Sequence, residues 1–74
     1  MATKEINATG LRCPQPVMKM SAALMGLSAG DLIEVVADCP TFEEDVKKWC
    51  ERLKKDLLWV REEDNGKKRI QIKV

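Results

Sequence analysis

Residues 32–50, "LIEVVADCPTFEEDVKKWC", change structural period part-way along. Leu32 to Ala37 is a mostly apolar run with Ile and Val, the composition of a central strand. Asp38-Cys39-Pro40 breaks that strand. Thr41 then caps a helix, with Glu44 three residues on to complete a capping box. Phe42, Val46, Trp49, Cys50 and Leu53 recur along one apolar face. Glu43, Glu44 and Asp45 sit in the first turn and Lys54 and Lys55 near the end, so both ends complement the helix dipole. Glu43–Lys47, Glu44–Lys48 and Glu51–Lys55 are spaced as i,i+4 ion pairs, worth about 0.2–0.5 kcal/mol each.

Upstream, Lys4 to Ala8 ("KEINA") predicts a short strand with Ile6 and Ala8 on one face. Thr9 to Arg12 reads as a loop, and a first helix starts at Pro14. Val17, Met20, Leu24 and Leu27 make one apolar stripe along it. Gly26 and the Ser28-Ala29-Gly30 stretch end it. Downstream, Leu57 to Glu63 and Lys68 to Val74 flank "DNGK", a hairpin signal. Two registers fit. A two-residue Asn65-Gly66 turn sets Trp59 beside Ile70 and Ile72. A three-residue loop with Gly66 in a bulge sets Leu58 and Val60 there and leaves Trp59 on the opposite face.

The order is β-α-β-α-β-β. Right-handed crossovers then place both helices on one face of a mixed four-stranded sheet, a two-layer α/β sandwich with the other face open. If the first two strands are parallel, the loops after them share one sheet edge. Cys13 and Cys39 end those loops and become candidate neighbours.

The chain has 74 residues and a formal net charge of +1. It reads as a single domain, residues 1–74, with a small core. Near-neutral charge argues against a bulk polyanion as partner. No apolar run reaches the roughly 20 residues that span a bilayer. "MATKEINATG" has no apolar signal-peptide core. A cytoplasmic location without membrane association is expected, with cysteines kept as thiols unless oxidised in function. The three cysteines have no C-x-x-C spacing, so a disulfide framework and a zinc knuckle are both disfavoured. With no histidine in the chain, a self-contained Cys-His hydrolase is excluded.

Residues 10–20, "GLRCPQPVMKM", hold the candidate chemistry. Pro14 suits the first helical position, where its missing N–H costs nothing, and this makes Cys13 the N-cap. Pro16 likewise gives up an amide that has no intrahelical partner. The paired prolines stiffen the helix start and aim the Cys13 sulfur. The positive end of the helix dipole and the adjacent Arg12 both favour a thiolate there. The alternative reading of Cys13 is a small buried residue at a helix start. Cys50, beside Trp49 on an apolar face, reads as structural. Cys39 reads either as a bystander near the site or as a second thiol that resolves a persulfide or forms a disulfide. Met18 lies off the main stripe, a candidate for partner docking together with Asp38. Lys67-Lys68-Arg69 and Lys54-Lys55 read as solvated faces, since no aromatic stacking platform accompanies them.

"GLRCPQPVM" resembles the signature of the TusA/SirA family of small sulfur-carrier proteins, a short strand, a Gly-Leu-Arg/Lys loop and then Cys-Pro-x-Pro. "SAGDLIEVVADCP" is similar to the family's turn, second strand and junction before the second helix, and "TFEEDVKKWC" to that helix. The resemblance covers nearly the whole chain. It implies the same two-layer sandwich, like the C-terminal domain of bacterial translation initiation factor three. It also implies that Cys13 accepts sulfane sulfur as a persulfide, with Gly10, Arg12, Pro14 and Pro16 shaping the site. The donor would be a cysteine desulfurase or rhodanese-type protein, and the sulfur would pass to a downstream acceptor protein. Implied destinations are tRNA thiolation, sulfur metabolism and cofactor biosynthesis. No metal or organic cofactor is implied, and no turnover without partners. Cys39 departs from the family, where many relatives carry aspartate before the proline, and this opens an internal Cys13–Cys39 disulfide. Two other readings stand beside the carrier: a redox-responsive regulatory or interaction module using Cys13 and Cys39, and an RNA-binding module on the open sheet face.

Overall fold

The sharp change of period after Ala37 appears directly in the fold. A computed structural model describes residues 2–12 and 15–74. Its elements are β1 (Thr3–Asn7), α1 (Gln15–Ala23), β2 (Leu32–Ala37), α2 (Phe42–Leu53), β3 (Asp56–Glu62) and β4 (Lys68–Lys73). Single 3-10 turns at Leu24–Gly26 and Asp64–Gly66 follow α1 and β3. The strands form one mixed sheet in the order β1-β2-β4-β3. β1 runs parallel to β2, and β4 pairs antiparallel with β2 and with β3.

Period-two alternation separates the two faces of this sheet. Ile33 and Val35 of β2 and Ile70 and Ile72 of β4 are fully buried on one face. They share a core with Met20 of α1 and with Phe42, Val46 and Trp49 of α2. Both helices therefore cover the same face, as right-handed crossovers require. Trp49 is almost wholly buried, and its indole Nε1 donates to Ser21 Oγ at 2.9 Å, which joins α2 to α1. Burying an indole of this size is a large part of a small core, and the hydrogen bond satisfies its one polar atom.

The other face is braced by polar side chains. Arg69 bonds Glu34 at 2.9 Å and Glu63 at 3.1 Å. Gln71 donates to Glu34 at 3.3 Å and accepts from Trp59 Nε1 at 3.1 Å. The Arg61 guanidinium lies over the Trp59 ring, 4.7 Å from its centroid.

Several local expectations change. β1 is shifted one residue toward the N-terminus, although Ile6 and Ala8 are both buried as the pattern requires. The α1 stripe buries Met20 fully and leaves Val17, Leu24 and Leu27 half-buried, with the last turn tightened to 3-10. The Thr41 capping box does not form. Thr41 has ψ 12, not the extended value an N-cap needs, and its hydroxyl donates instead to Asp45 Oδ2 at 3.2 Å. Glu43–Lys47 closes at 2.8 Å. Among the described residues neither Glu44–Lys48 nor Glu51–Lys55 joins it. The second fails because α2 stops at Leu53 and Lys54 turns left-handed at φ 58. That stop also leaves Leu53 exposed.

The hairpin takes the three-residue loop. Glu63 N–H donates to the Lys67 carbonyl at 2.8 Å across Asp64–Gly66. Val60 then faces Ile70, and Trp59 pairs with Gln71 on the open face. A bulge between Leu57 and Trp59 changes the remaining position. Leu57 opposes Ile72, and Leu58, expected inward, is exposed. The extra residue reverses the alternation beyond it, which composition alone does not encode.

Two stability predictions follow from these ends. Lys54→Gly relieves a left-handed backbone and should stabilise the chain by about 0.5–1 kcal/mol, net of glycine's extra unfolded-state freedom, in urea unfolding. Glu43 is held at a pKa of about 2 by its hydrogen bonds to Lys47 and Lys68. A depressed folded pKa contributes stability that is present above the ordinary value of 4.5 and fades as pH falls toward about 2. Glu43→Gln should therefore lower the unfolding midpoint at pH 7 and match wild type near pH 2.

Candidate functional site

Because β1 and β2 are parallel, their C-terminal ends meet at one sheet edge. Ala8 N–H extends the pairing by donating to the Val36 carbonyl at 2.8 Å. The chain then turns. Thr9 N–H donates to Asn7 Oδ1 at 3.0 Å and Leu11 N–H to the Ala8 carbonyl at 3.2 Å. Gly10 takes φ 84, which favours glycine. Its N–H donates to Asp38 Oδ1 at 3.0 Å, so the loop after β1 is tied to the loop after β2.

A cleft of about 430 Å³ lies between these loops, lined by Gly10, Leu11, Arg12, Asp38, Cys39 and Pro40. The juxtaposition of the two loops is thus as expected from parallel strands. Arg12 and Asp38 are exposed, and Cys39 is half-buried. The Cys39 sulfur lies 3.7 Å from Thr41 Oγ1 and is disulfide-bonded. Leu11 packs its side chain against the core and anchors the loop from below. A second cleft of the same volume, between β1 and α1, is lined by side chains such as Lys4, Glu5 and Lys19 and offers no sulfur.

Cys13 and Pro14, expected as N-cap and first helical residue, lie outside the described residues. On either side of them, Gln15 N–H donates to the Arg12 carbonyl at 2.8 Å. Pro16 sits in the first turn of α1, where its missing amide is harmless, and is fully buried, so it anchors the helix start in the core. Met18 is 62% exposed and Met25 92%, the large apolar side chains that α1 and its last turn present to solvent.

Sequence reasoning placed Asp38 among docking residues. The structure gives it a bracing role, as acceptor for the Gly10 amide. The signal was a left-handed glycine and a short acceptor, each just past the end of a paired parallel strand. Thr41, read as a helix cap, sits beside the Cys39 sulfur instead. Two of the three residues of the Lys67–Arg69 stretch are paired in place. Lys68 bonds Glu43 at 2.9 Å, and Arg69 bonds two glutamates.

Cys50 is a free, buried thiol. Burial first, and the nearby Asp56 carboxylate second, push its pKa up to about 11. It is protonated and a poor nucleophile at neutral pH.

Residues 4–74 match the family model described as sulfurtransferase TusA. A sulfur carrier protein TusA of Pseudomonas putida is 41% identical over 58 residues, 78% of this chain and 72% of that protein. A putative sulfur carrier protein of Archaeoglobus fulgidus is 30% identical over 96% of this chain and 92% of its own length. The crystal structure of a SirA-like protein from Desulfitobacterium hafniense is similar with a TM-score of 0.83 at 31% identity. It covers 100% of this chain and 97% of that one.

The thiol environments predict unequal labelling. Iodoacetamide at pH 8 should leave Cys50 unmodified in the native chain and modify it once urea unfolds the core. Its native rate should climb with pH toward about 11, the raised value that burial imposes. Peptide mapping by mass spectrometry reads both effects.

Proposed function

The chain belongs to the TusA family of sulfur carriers, and from that premise we propose that it is a cytoplasmic carrier whose working atom is the Cys13 sulfur. The Cys13 thiolate attacks the terminal sulfur of a donor persulfide. The donor's S–S bond breaks, the donor cysteine leaves as a thiolate, and Cys13 becomes a persulfide. A nucleophile on an acceptor protein or its substrate then attacks that terminal sulfur, and Cys13 leaves as a thiolate. Exchange of this kind depends on thiolate fraction and on access. It needs no metal or organic cofactor.

The observation that carries this reading is the open cleft where Gly10, Leu11 and Arg12 lead directly into Cys13. Arg12 precedes Cys13 in the sequence and carries a positive charge, and positive charge near a cysteine favours thiolate and persulfide anions. Pro16, three residues after Cys13, is fully buried at the start of α1. Exposed Met18, one turn into α1, offers a soft apolar contact for donor and acceptor proteins. The donor is of the cysteine desulfurase or rhodanese type.

The RNA reading is not favoured. Lys68 and Arg69 are already paired with carboxylates, and Trp59 is engaged by Gln71 and Arg61.

The test is loading by a cysteine desulfurase with cysteine, quenched early with an alkylating agent. Wild type should gain one sulfur, about 32 Da, on the peptide holding Cys13. Cys13→Ser should gain none while keeping its circular dichroism. An adduct that persists in Cys13→Ser overturns the reading.

A further inference from the structure

The sheet ends in two edge strands, β1 and β3. An edge strand carries a row of backbone groups that its own sheet leaves unpaired. The two edges differ. β3 has a bulge between Leu57 and Trp59, which breaks the even spacing that an added strand needs. β1 pairs residue by residue with β2 from Thr3 to Asn7, with no bulge.

The hydrogen bonds at its two ends fix which groups of β1 face outward. The Ala2 carbonyl accepts from Leu32 N–H, and Ala8 N–H donates to the Val36 carbonyl, both at 2.8 Å. Peptide groups alternate along a strand, so Lys4 and Ile6 also turn theirs to β2. Thr3, Glu5 and Asn7 turn their N–H and C=O groups away. Among the described residues no backbone bond outside the β1–β2 ladder reaches them.

Beside this edge lies the cleft of about 430 Å³ between β1 and α1. Lys4 and Ile6 stand on its strand side, and Lys19, Ala22 and Ala23 on its helix side. Lys4 and Lys19 are exposed, and neither has a carboxylate partner among the described residues. Glu5 also borders the cleft, but by alternation its side chain belongs to the opposite face of the strand from Lys4. The helix side of the edge is therefore positive and lacks a counter-charge.

We infer that β1 is a docking edge for an extended acidic segment of a partner protein. The segment adds a strand beside β1, bonds the outward groups of Thr3, Glu5 and Asn7, and sets a carboxylate into the cleft against Lys4 and Lys19. Backbone bonds of this kind supply affinity, and pockets for alternate side chains supply specificity. Charge selects the occupant. A second copy paired antiparallel here would gather two Lys4 and two Lys19 side chains on one face of the joint sheet, and like charges at a seam oppose pairing. An acidic strand meets the same lysines as partners. β1 leads into the loop that walls the sulfur cleft, so a segment seated on this edge lies beside that loop. Docking here is independent of the chemistry at Cys13.

The test uses the full chain, isotope-labelled, and two fluorescein-tagged heptapeptides. One alternates threonine with glutamate, the other threonine with lysine. At low ionic strength the glutamate peptide should bind at least about 10-fold more tightly by fluorescence anisotropy. Nuclear magnetic resonance should show slowed exchange at the amides of Thr3, Glu5 and Asn7 and no change at Lys4 and Ile6, an alternation that surface attraction alone does not produce. Lys4→Glu combined with Lys19→Glu changes only exposed side chains and should reverse the preference between the peptides. Glu5→Pro removes an outward N–H, where an edge strand tolerates proline, and should weaken binding at least about 10-fold while keeping the unfolding midpoint. Equal affinity for the two peptides, uniform protection along β1, or no binding at low salt overturns the inference. So does protection of Thr3, Glu5 and Asn7 that rises with protein concentration before peptide is added, because a second copy then holds the edge.

Discussion

The parallel pairing of β1 with β2 is the constraint on which the rest depends. It sets Ile6 opposite Val35 and Asn7 opposite Val36, and the Ala8 amide continues the ladder to the Val36 carbonyl. A parallel pair cannot be joined by a tight turn, so the chain crosses over through α1. That crossover covers one face of the sheet and brings the loops after both strands to one edge. A slip of one residue would turn Ile6 to solvent and separate Gly10 from Asp38. The core and the cleft therefore depend on one register.

The near-neutral net charge conceals a strongly organised surface. Glu43 bridges Lys47 on its own helix and Lys68 on β4, and Glu34 and Glu63 hold Arg69 across the open sheet face. Exposed ion pairs of this kind are individually weak. Their effect here is to occupy Lys47, Lys68 and Arg69 with carboxylate partners. The sulfur-bearing edge stands apart from that network. Its loops are tied by Gly10 to Asp38, an amide to a carboxylate, which leaves Arg12 exposed.

Cysteine chemistry in this fold is decided by position. Cys50 lies among the core side chains beside Trp49, and burial keeps it protonated. Cys39, eleven positions earlier in the chain, stands where β2 has ended and α2 has not begun, half-buried at a cleft and able to meet another sulfur. The break between strand and helix is what exposes it, because residues there have no neighbouring element laid across them.

Much was legible before the fold was seen. Periodicity identified all six elements, and β2 carried its own limits because an apolar run stops at Asp-Cys-Pro. The placement of two helices on one sheet face followed from handedness. The loop bearing Cys-Pro-x-Pro was recognisable because prolines are tolerated at a helix start and few other places inside one. Less legible were features that hang on a single torsion or a single extra residue. The bulge at Leu58, the left-handed Lys54 and the ψ of Thr41 each respond to how distant segments pack, and no local pattern carries that information. Leu58 and Leu57 are the same residue type, so which one faces Ile72 was invisible to composition.

The sequence by itself determined the element order, the apolar faces and the break after β2 that holds Cys39, since these rest on local propensity and periodicity. Only the tertiary structure decided that Asp38 braces Gly10, that Pro16 is an anchor in the core, and that Arg12 and Cys39 share one cleft. The physical reason is that the two relations across the cleft join residues more than twenty positions apart. They exist only once the parallel ladder has brought two strand ends to the same edge.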